Sequence, residues 1–384
     1  MKTAKTAAIC GIASLALAAA GLAGCGDTVD GTKTALVIND EEINVGTANF
    51  YLRHQQAETA NMMLSYGLTT SDMMWDQAIS ESQSYGDSLK SNCQDSLVEM
   101  VLLRQHAGEY DVALSDEETQ KIEEAAQEVA DANQEALERM GATKDDVAQV
   151  LELYTYQQKM RDPMIADTDR EVSDEEAAQT SITYARISLE GEDDAELTDD
   201  EKAALKSDAE AVLAEIQNSG DPAAADFSTI ADGVNEDFMA STFSYGSDDT
   251  IMDDAVKEAV GGLTDGQVYG SVIETDAYYY IVRLDQAFDQ EATESEKESI
   301  IAERENENYN GKVQEWTDAS TVETTSAWEN IRVTDKDLYV VKTEDASSDS
   351  SSDSAESSSS SSSSGADSSG SADTASTSSS STVE

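Results

Sequence analysis

Few side chains in this 384-residue sequence can act as nucleophile or general base at neutral pH: it has two histidines, His54 and His106, and three cysteines, Cys10, Cys25 and Cys93. It has no Gly-x-Ser-x-Gly, no Cys–His pairing signal, no phosphate-cradling glycine loop and no zinc-ligand spacing. Asp167, Asp169 and Glu171 stand at alternate positions like calcium ligands, but the glycine demanded by the sharp turn of such a loop is missing. They read as solvated linker charges, and neither a metal nor a cofactor is implied. Cys93, at a helical position, reads as a small core residue. Cys25 has a different setting. Lys2 and Lys5 precede an apolar run from Ala7 to Leu22 that ends in Leu22-Ala23-Gly24-Cys25. A charged start, an apolar core too short to span a membrane comfortably, and small residues before the cut describe a secretory signal.

The Leu-Ala-Gly-Cys ending resembles the bacterial lipobox, which implies cleavage before Cys25, acylation of its thiol, and a lipid tether outside the cytoplasmic membrane. The 80 Asp and Glu against 23 Lys and Arg give a formal charge of -57. That balance excludes nucleic acid as a partner and repels an anionic membrane surface, so attachment falls to the lipid. The stretch from Asp345 to Glu384 is almost wholly Ser, Asp, Glu, Ala, Gly and Thr. It cannot bury enough apolar surface to offset ordering entropy and is expected to be disordered.

Between these ends, Ala35-Leu36-Val37-Ile38 and the segment around Ile43 read as two short strands. Long helices are expected next, with Leu97, Met100, Val101 and Leu103 on one face and the stem of Arg104 beside them. The Met-rich stretch from Met62 to Met74 reads as core filler in preference to an adaptable client surface. Ser115-Asp116-Glu117-Glu118, Ser173-Asp174-Glu175-Glu176 and Thr198-Asp199-Asp200-Glu201 each predict a capped helix start. Pro163 marks a break. From Ser181 to Leu284 the pattern is a strand, an amphipathic helix over Leu205 to Ile216, a short helix beginning at Asp226, the helix Ala255 to Val260, and closing strands.

Within that segment, Phe227-Ser228-Thr229-Ile230-Ala231, Leu263-Thr264-Asp265-Gly266-Gln267-Val268 and Tyr279-Tyr280-Ile281-Val282-Arg283-Leu284, in this order, resemble a parvulin-type peptidyl-prolyl isomerase domain. The flanks, with a helix from Thr293 to Trp316 after the domain, are similar to extracytoplasmic foldases of the PrsA and SurA kind. The resemblance implies an α+β fold: a helical chaperone lobe made by both flanks, with the parvulin-like domain inserted and a disordered tail. The implied divisions are signal peptide 1–24, anchor spacer 25–33, N-terminal helical region 34–172, isomerase-like domain 173–288, C-terminal helix and strand 289–343 completing the lobe, and tail 344–384.

Where parvulins usually carry a histidine in the first and last strands, this sequence is read as Ile187 and Tyr280; the position often held by Cys or Asp is read as Asp237. Tyr245, Met252 and Val256 take the apolar pocket positions, and Ala277 replaces a small hydroxyl residue. The implied catalytic pair is Asp237 and Tyr280, with Tyr245, Met252, Val256, Ile187 and Ala277 binding substrate. Rotating a prolyl amide breaks no bond, so an apolar pocket holding the proline ring, with a hydroxyl of Tyr245 or Tyr280 on the carbonyl, is the chemistry expected. The implied partners are unfolded or partly folded secreted polypeptides and, through Cys25, the outer face of a Gram-positive-type membrane. The oligomeric state is left open, a dimer included. The missing imidazoles keep a non-catalytic, client-binding chaperone as an alternative. A substrate-binding lipoprotein would call for two similar α/β lobes, and the sequence carries one small mixed domain.

Overall fold

The computed structural model describes residues 16–19, 29–68, 72–80, 82–191, 197–334 and 339–342. Cys25 and the Ser-rich tail lie outside them. The elements in chain order are β1 (Ala16–Ala19), β2 (Thr34–Ile38), β3 (Glu41–Asn44), α1 (Val45–Ser65), α2 (Asp72–Trp75), β4 (Ala78–Ser80), β5 (Gln83–Ser84), α3 (Tyr85–His106), α4 (Asp116–Ala132), α5 (Gln134–Met140) and α6 (Lys144–Met164). Then come β6 (Thr180–Ser188), α7 (Asp199–Asn218), α8 (Phe227–Val234), β7 (Met239–Tyr245), α9 (Asp254–Val260), β8 (Ile273–Glu274), β9 (Tyr278–Gln286), α10 (Gln290–Ala319), β10 (Val322–Thr324), α11 (Ser326–Glu329) and β11 (Tyr339–Lys342). The fold is α+β. No described helix is long and apolar enough to cross a membrane.

The helical lobe is built from both ends of the chain. Its core joins Leu36, Ile38 and Ile43 of the hairpin to Phe50 and Leu52 of α1, Leu97 and Val101 of α3, Val147 and Leu151 of α6, and Trp328 of α11. Strand β10 adds antiparallel to β2, with Val322 opposite Ile38. Trp328 is fully buried, and its Nε1–H donates to Gln94 at 3.0 Å. Arg53 and Gln56 of α1 donate to the carbonyls of Arg332 and Thr334 at 2.7 and 2.8 Å. Helix α10 closes the side: the Tyr309 hydroxyl donates to Glu99 of α3 at 2.8 Å, and Trp316 stacks on His106 with ring centroids 4.2 Å apart.

Local sequence sets the helix starts. Ser115 and Thr198 make capping boxes with Glu118 and Glu201, as their spacing predicts. Ser173 does not start a helix. Its hydroxyl accepts from the Glu176 amide at 3.1 Å, but only a turn forms before the chain enters β6. Ser84 and Thr143 cap α3 and α6 with Asp87 and Asp146 as the third-position carboxylates, a pairing one methylene shorter than the glutamate boxes. Asp146 also accepts from Asn44 and Thr47 at 2.8 and 2.9 Å, so one buried carboxylate ties the start of α6 to that of α1.

One expectation fails in part for a packing reason. The inward half of α1 ends at Ala60, so Met62 is 54% exposed and Leu64 50%, whereas Met74 packs against the lobe core as filler and Trp75 is buried. Pro163 lies inside the last turn of α6, which runs one residue further. The linker carboxylates serve the strap to α10: Asp167 accepts from Lys312 and Asn308 at 2.8 and 2.9 Å. The Lys312 ammonium and the Asn308 amide bring its pKa down to about 2.

Cys93 is buried, and desolvation pushes its thiol pKa up to about 12. In a chain beginning at Val29 it should resist a thiol reagent at pH 8 and react promptly once urea unfolds the lobe. Rapid labelling of the folded protein would contradict this packing.

Candidate functional site

The inserted sheet has strand order β7-β6-β9-β8 with every neighbour antiparallel. Side chains alternate across it, so each strand divides its residues between two cores. Ala185, Ile187, Tyr279 and Ile281 pack under α7 and α8 with Leu213 and Phe227. Ile182, Tyr280, Val282 and Leu284 face the other way, against Met252, Val256 and Val260 from the start and body of α9. The Thr264-Asp265-Gly266-Gln267 turn fixes one end of β9: Gly266 takes φ +77°, and its N–H donates to the Leu284 carbonyl at 2.7 Å.

On the α9 face, register places Met239, Arg186, Tyr280 and Ile273 in one cross-strand row. The Arg186 guanidinium lies 4.3 Å from the Tyr278 ring centroid and 5.7 Å from that of Tyr184, and its Nη1–H donates to the Tyr280 hydroxyl at 3.4 Å. The Tyr280 ring meets Tyr184 and Tyr278 edge-on at 5.8 and 5.7 Å. The Asp253 carboxylate, at the head of α9, lies near the same hydroxyl. Burial raises the Tyr280 pKa, and Asp253 adds to the rise while Arg186 opposes it. Burial works against the charge on Arg186, but the hydroxyls of Tyr280, Tyr184 and Tyr278 hold its pKa above the ordinary arginine value. The result is an apolar floor with a fixed cation and a tyrosine–carboxylate pair, and no nucleophile.

The residues singled out from sequence are distributed as follows. Tyr280, Met252, Val256 and Tyr245 share the α9-side cluster. Tyr245 pairs opposite Thr180, however, and Tyr280 opposite Arg186. The two rows are therefore six positions apart along β6, about 20 Å of strand, and the two hydroxyls cannot meet on one amide. The Tyr245 pKa is raised by burial and by the nearby charge of Asp249.

Ile187 belongs to the opposite face, packed with α7 and α8, and the residue across from Tyr280 is Arg186. A one-residue slip in reading the strand exchanges the two faces. Asp237 is exposed ahead of β7, its amide donating to the Asn235 side chain at 2.9 Å; the carboxylate beside Tyr280 is Asp253. Ala277 sits in the β8–β9 turn, its carbonyl accepting from the Leu189 amide at 2.8 Å. Sequence reading missed Arg186, Tyr184, Tyr278 and Asp253. The alternation Ile182, Tyr184, Arg186 was the available signal.

No family model matches the chain, and no curated protein does. Among solved structures, it is similar to PrsA foldases and SurA-like chaperones. The foldase protein PrsA from Streptococcus pneumoniae is 20% identical, with 66% of this chain and 97% of that chain covered and a TM-score of 0.27. The peptidylprolyl isomerase PrsA from Bacillus cereus is also 20% identical, covering 68% and 95% with a TM-score of 0.27. A chain from the structures of the SurA-like chaperones PEB4 and Cj1289 of Campylobacter jejuni is 14% identical, covering 76% and 100% with a TM-score of 0.22.

Proposed function

We propose that this protein is an extracytoplasmic foldase, tethered by lipid on Cys25, that holds unfolded or partly folded secreted polypeptides and turns their X–Pro bonds in the α9-side cleft of the inserted sheet. The observation that carries the reading is the chemistry of that face of the sheet: the apolar side chains of Met252 and Val256 packed behind Arg186, Tyr280 and Asp253, with no nucleophile. Amide rotation needs no nucleophile, because no bond is broken. Its barrier of roughly 18–20 kcal/mol is the loss of resonance in the twisted amide. A site that binds the twisted form better than the planar one lowers that barrier.

Exchange NMR on a panel of X–Pro peptides tests this with soluble protein starting at Val29. Catalysed exchange is expected, falling several-fold in Met252→Ala, which shrinks the floor, and unchanged in Asp237→Ala. The second reading, a client-binding chaperone without catalysis, is favoured by the absence of imidazoles from the cleft and by the exposed run Met62, Leu64, Tyr66 and Leu68 with Ile79 nearby in the chain. Suppressed aggregation of an unfolded client, with no exchange on any peptide, would decide for it.

A further inference from the structure

We propose that the outer edge of β7 is a strand-addition site, where an extended, uncharged or basic segment of a client pairs antiparallel along Met239–Tyr245 by main-chain hydrogen bonds. This deepens the client-holding reading above and rests on it, whether or not the sheet turns prolyl bonds. Strand β7 ends its sheet, so β6 is its one strand partner. Along a strand, successive residues direct their N–H and C=O groups to alternate sides. The bonds beyond β9 settle which groups of β7 face outward. Val282 and Leu284 bond on that far side, to Tyr269, Gly266 and Gln267. Tyr279, Ile281 and Arg283 therefore bond β6, through Ile187, Ala185 and Thr183. The alternate residues Arg186, Tyr184 and Ile182 are left to bond Met239, Ser241 and Phe243.

The N–H and C=O groups of Ala240, Thr242 and Ser244 then point away from the sheet. Among the described residues no backbone group pairs with them, and the Thr242 carbonyl accepts only from the adjacent Ser241 hydroxyl, at 3.2 Å. Ser241, Thr242 and Ser244 are exposed, and Met239 is 62% exposed, so the edge is open to solvent. Folded proteins ordinarily blunt such an edge with charge, proline, a bulge or brevity. The other edges of this sheet and of the lobe hairpin are blunted in this way. Strand β8 has two residues, with Glu274 paired to Lys206 at 2.9 Å; β3 carries Glu41 and Glu42, and β10 is three residues long with Glu323 at its centre. Strand β7 runs seven residues in unbroken register with β6. It holds no proline, and no charged residue occurs from Phe238 to Ser247 in a sequence with 80 Asp and Glu. An edge left long, regular and uncharged is suited to accept another strand.

The occupant follows from charge and geometry. Self-pairing through this edge would bring together two chains of formal charge -57, which opposes it. A client segment without acidic residues meets no such repulsion, and main-chain pairing accepts it with little regard to its side chains. Seated there, its alternate side chains extend the row of Met239, Arg186 and Tyr280 on one face and lie beside Ala240 and Thr242 on the other.

The test uses the full chain in detergent and a short peptide of alternating Val and Thr residues with a lysine at each end, with amide hydrogen exchange read residue by residue. Exchange at Ala240, Thr242 and Ser244 should slow at least about tenfold at saturating peptide, while Ser241 and Phe243, already bonded to β6, stay unchanged. Thr242→Pro removes an outward N–H and leaves the β6 ladder whole, so peptide binding should weaken at least about tenfold, with Thr242→Val binding as wild type. No binding of the peptide, binding without that protection, or wild-type affinity in a folded Thr242→Pro overturns the proposal while the client-holding reading stands. Protection that grows with protein concentration in the absence of peptide assigns the edge to a second copy and overturns it as well. Should Thr242→Pro fail to fold, the exchange pattern of the wild type decides. A folded wild type that neither binds the peptide nor suppresses aggregation of an unfolded client sinks the client-holding reading, and this site with it.

Discussion

Replacing Trp328 with alanine is expected to cost the helical lobe about 3–5 kcal/mol, the usual range for deleting a fully buried large aromatic side chain. Three losses combine. The ring fills the lobe core supplied by β2, α1, α3 and α6; its Nε1–H bond to Gln94 disappears; and the cation–π contact with Lys90, 5.2 Å from the ring centroid, goes with it. Lys90 also donates to the carbonyls of Glu329 and Ile331 at 3.0 and 2.9 Å, so the segment after α11 loosens together with the ring. Urea unfolding followed by helical circular dichroism should show a lower midpoint for the lobe. Amide resonances of Ile281 and Val282 in the inserted sheet should stay in place below that midpoint, because the sheet's two cores do not include Trp328. Loss of both sets at one urea concentration would mean that lobe and sheet fold as a single cooperative unit.

The complementary change is Val256→Asp. Val256 is fully buried in the α9-side core, among Met252, Tyr280 and Val282. An unpaired carboxylate there is an uncompensated buried charge, costing on the order of 3–5 kcal/mol. The expected outcome is loss of α9 packing, loss of all peptide exchange, and a lobe that still melts near its wild-type midpoint. Retained exchange in this variant would show that the catalytic surface lies elsewhere. Val256→Ala, which removes apolar volume without adding charge, should give a smaller loss of the same kind.

The fold was legible in the sequence wherever a local signal agreed with its packing. Ser115 and Thr198 begin helices where their hydroxyl and glutamate spacing says they should, and the closing strand around Ile281 and Val282 is where the apolar run puts it. Ser173 shows the limit. Its cap bond forms, but β6 begins at Thr180, too soon for a helix to grow. Met62 shows another, since nothing in a Met-rich run says which turn of α1 leaves the core.

The faces of the inserted sheet were only partly legible. Tyr280, Met252 and Val256 share one cluster, while Ile187 packs on the opposite face and Arg186 stands across from Tyr280. An arginine beside three tyrosines looks like a surface residue until the strand alternation and the rings of Tyr184 and Tyr278 place it. Asp253 was hidden for the same reason, as one of many carboxylates whose neighbour across the cleft is distant in sequence.

The pairing of β10 with β2 and the seating of Trp328 among α1 and α3 join residues separated by nearly the whole folded chain. A polypeptide delivered N-terminus first presents α1, α3 and α6 while the piece that finishes their core is still to come. The inserted sheet, whose strands lie between Thr180 and Gln286, has all of its partners earlier. The order of maturation is therefore written into the connectivity: the cleft can be complete before the lobe that surrounds its ends. Contacts this distant in sequence are the kind that slow folding, and until they form the growing chain leaves unfinished apolar surface exposed.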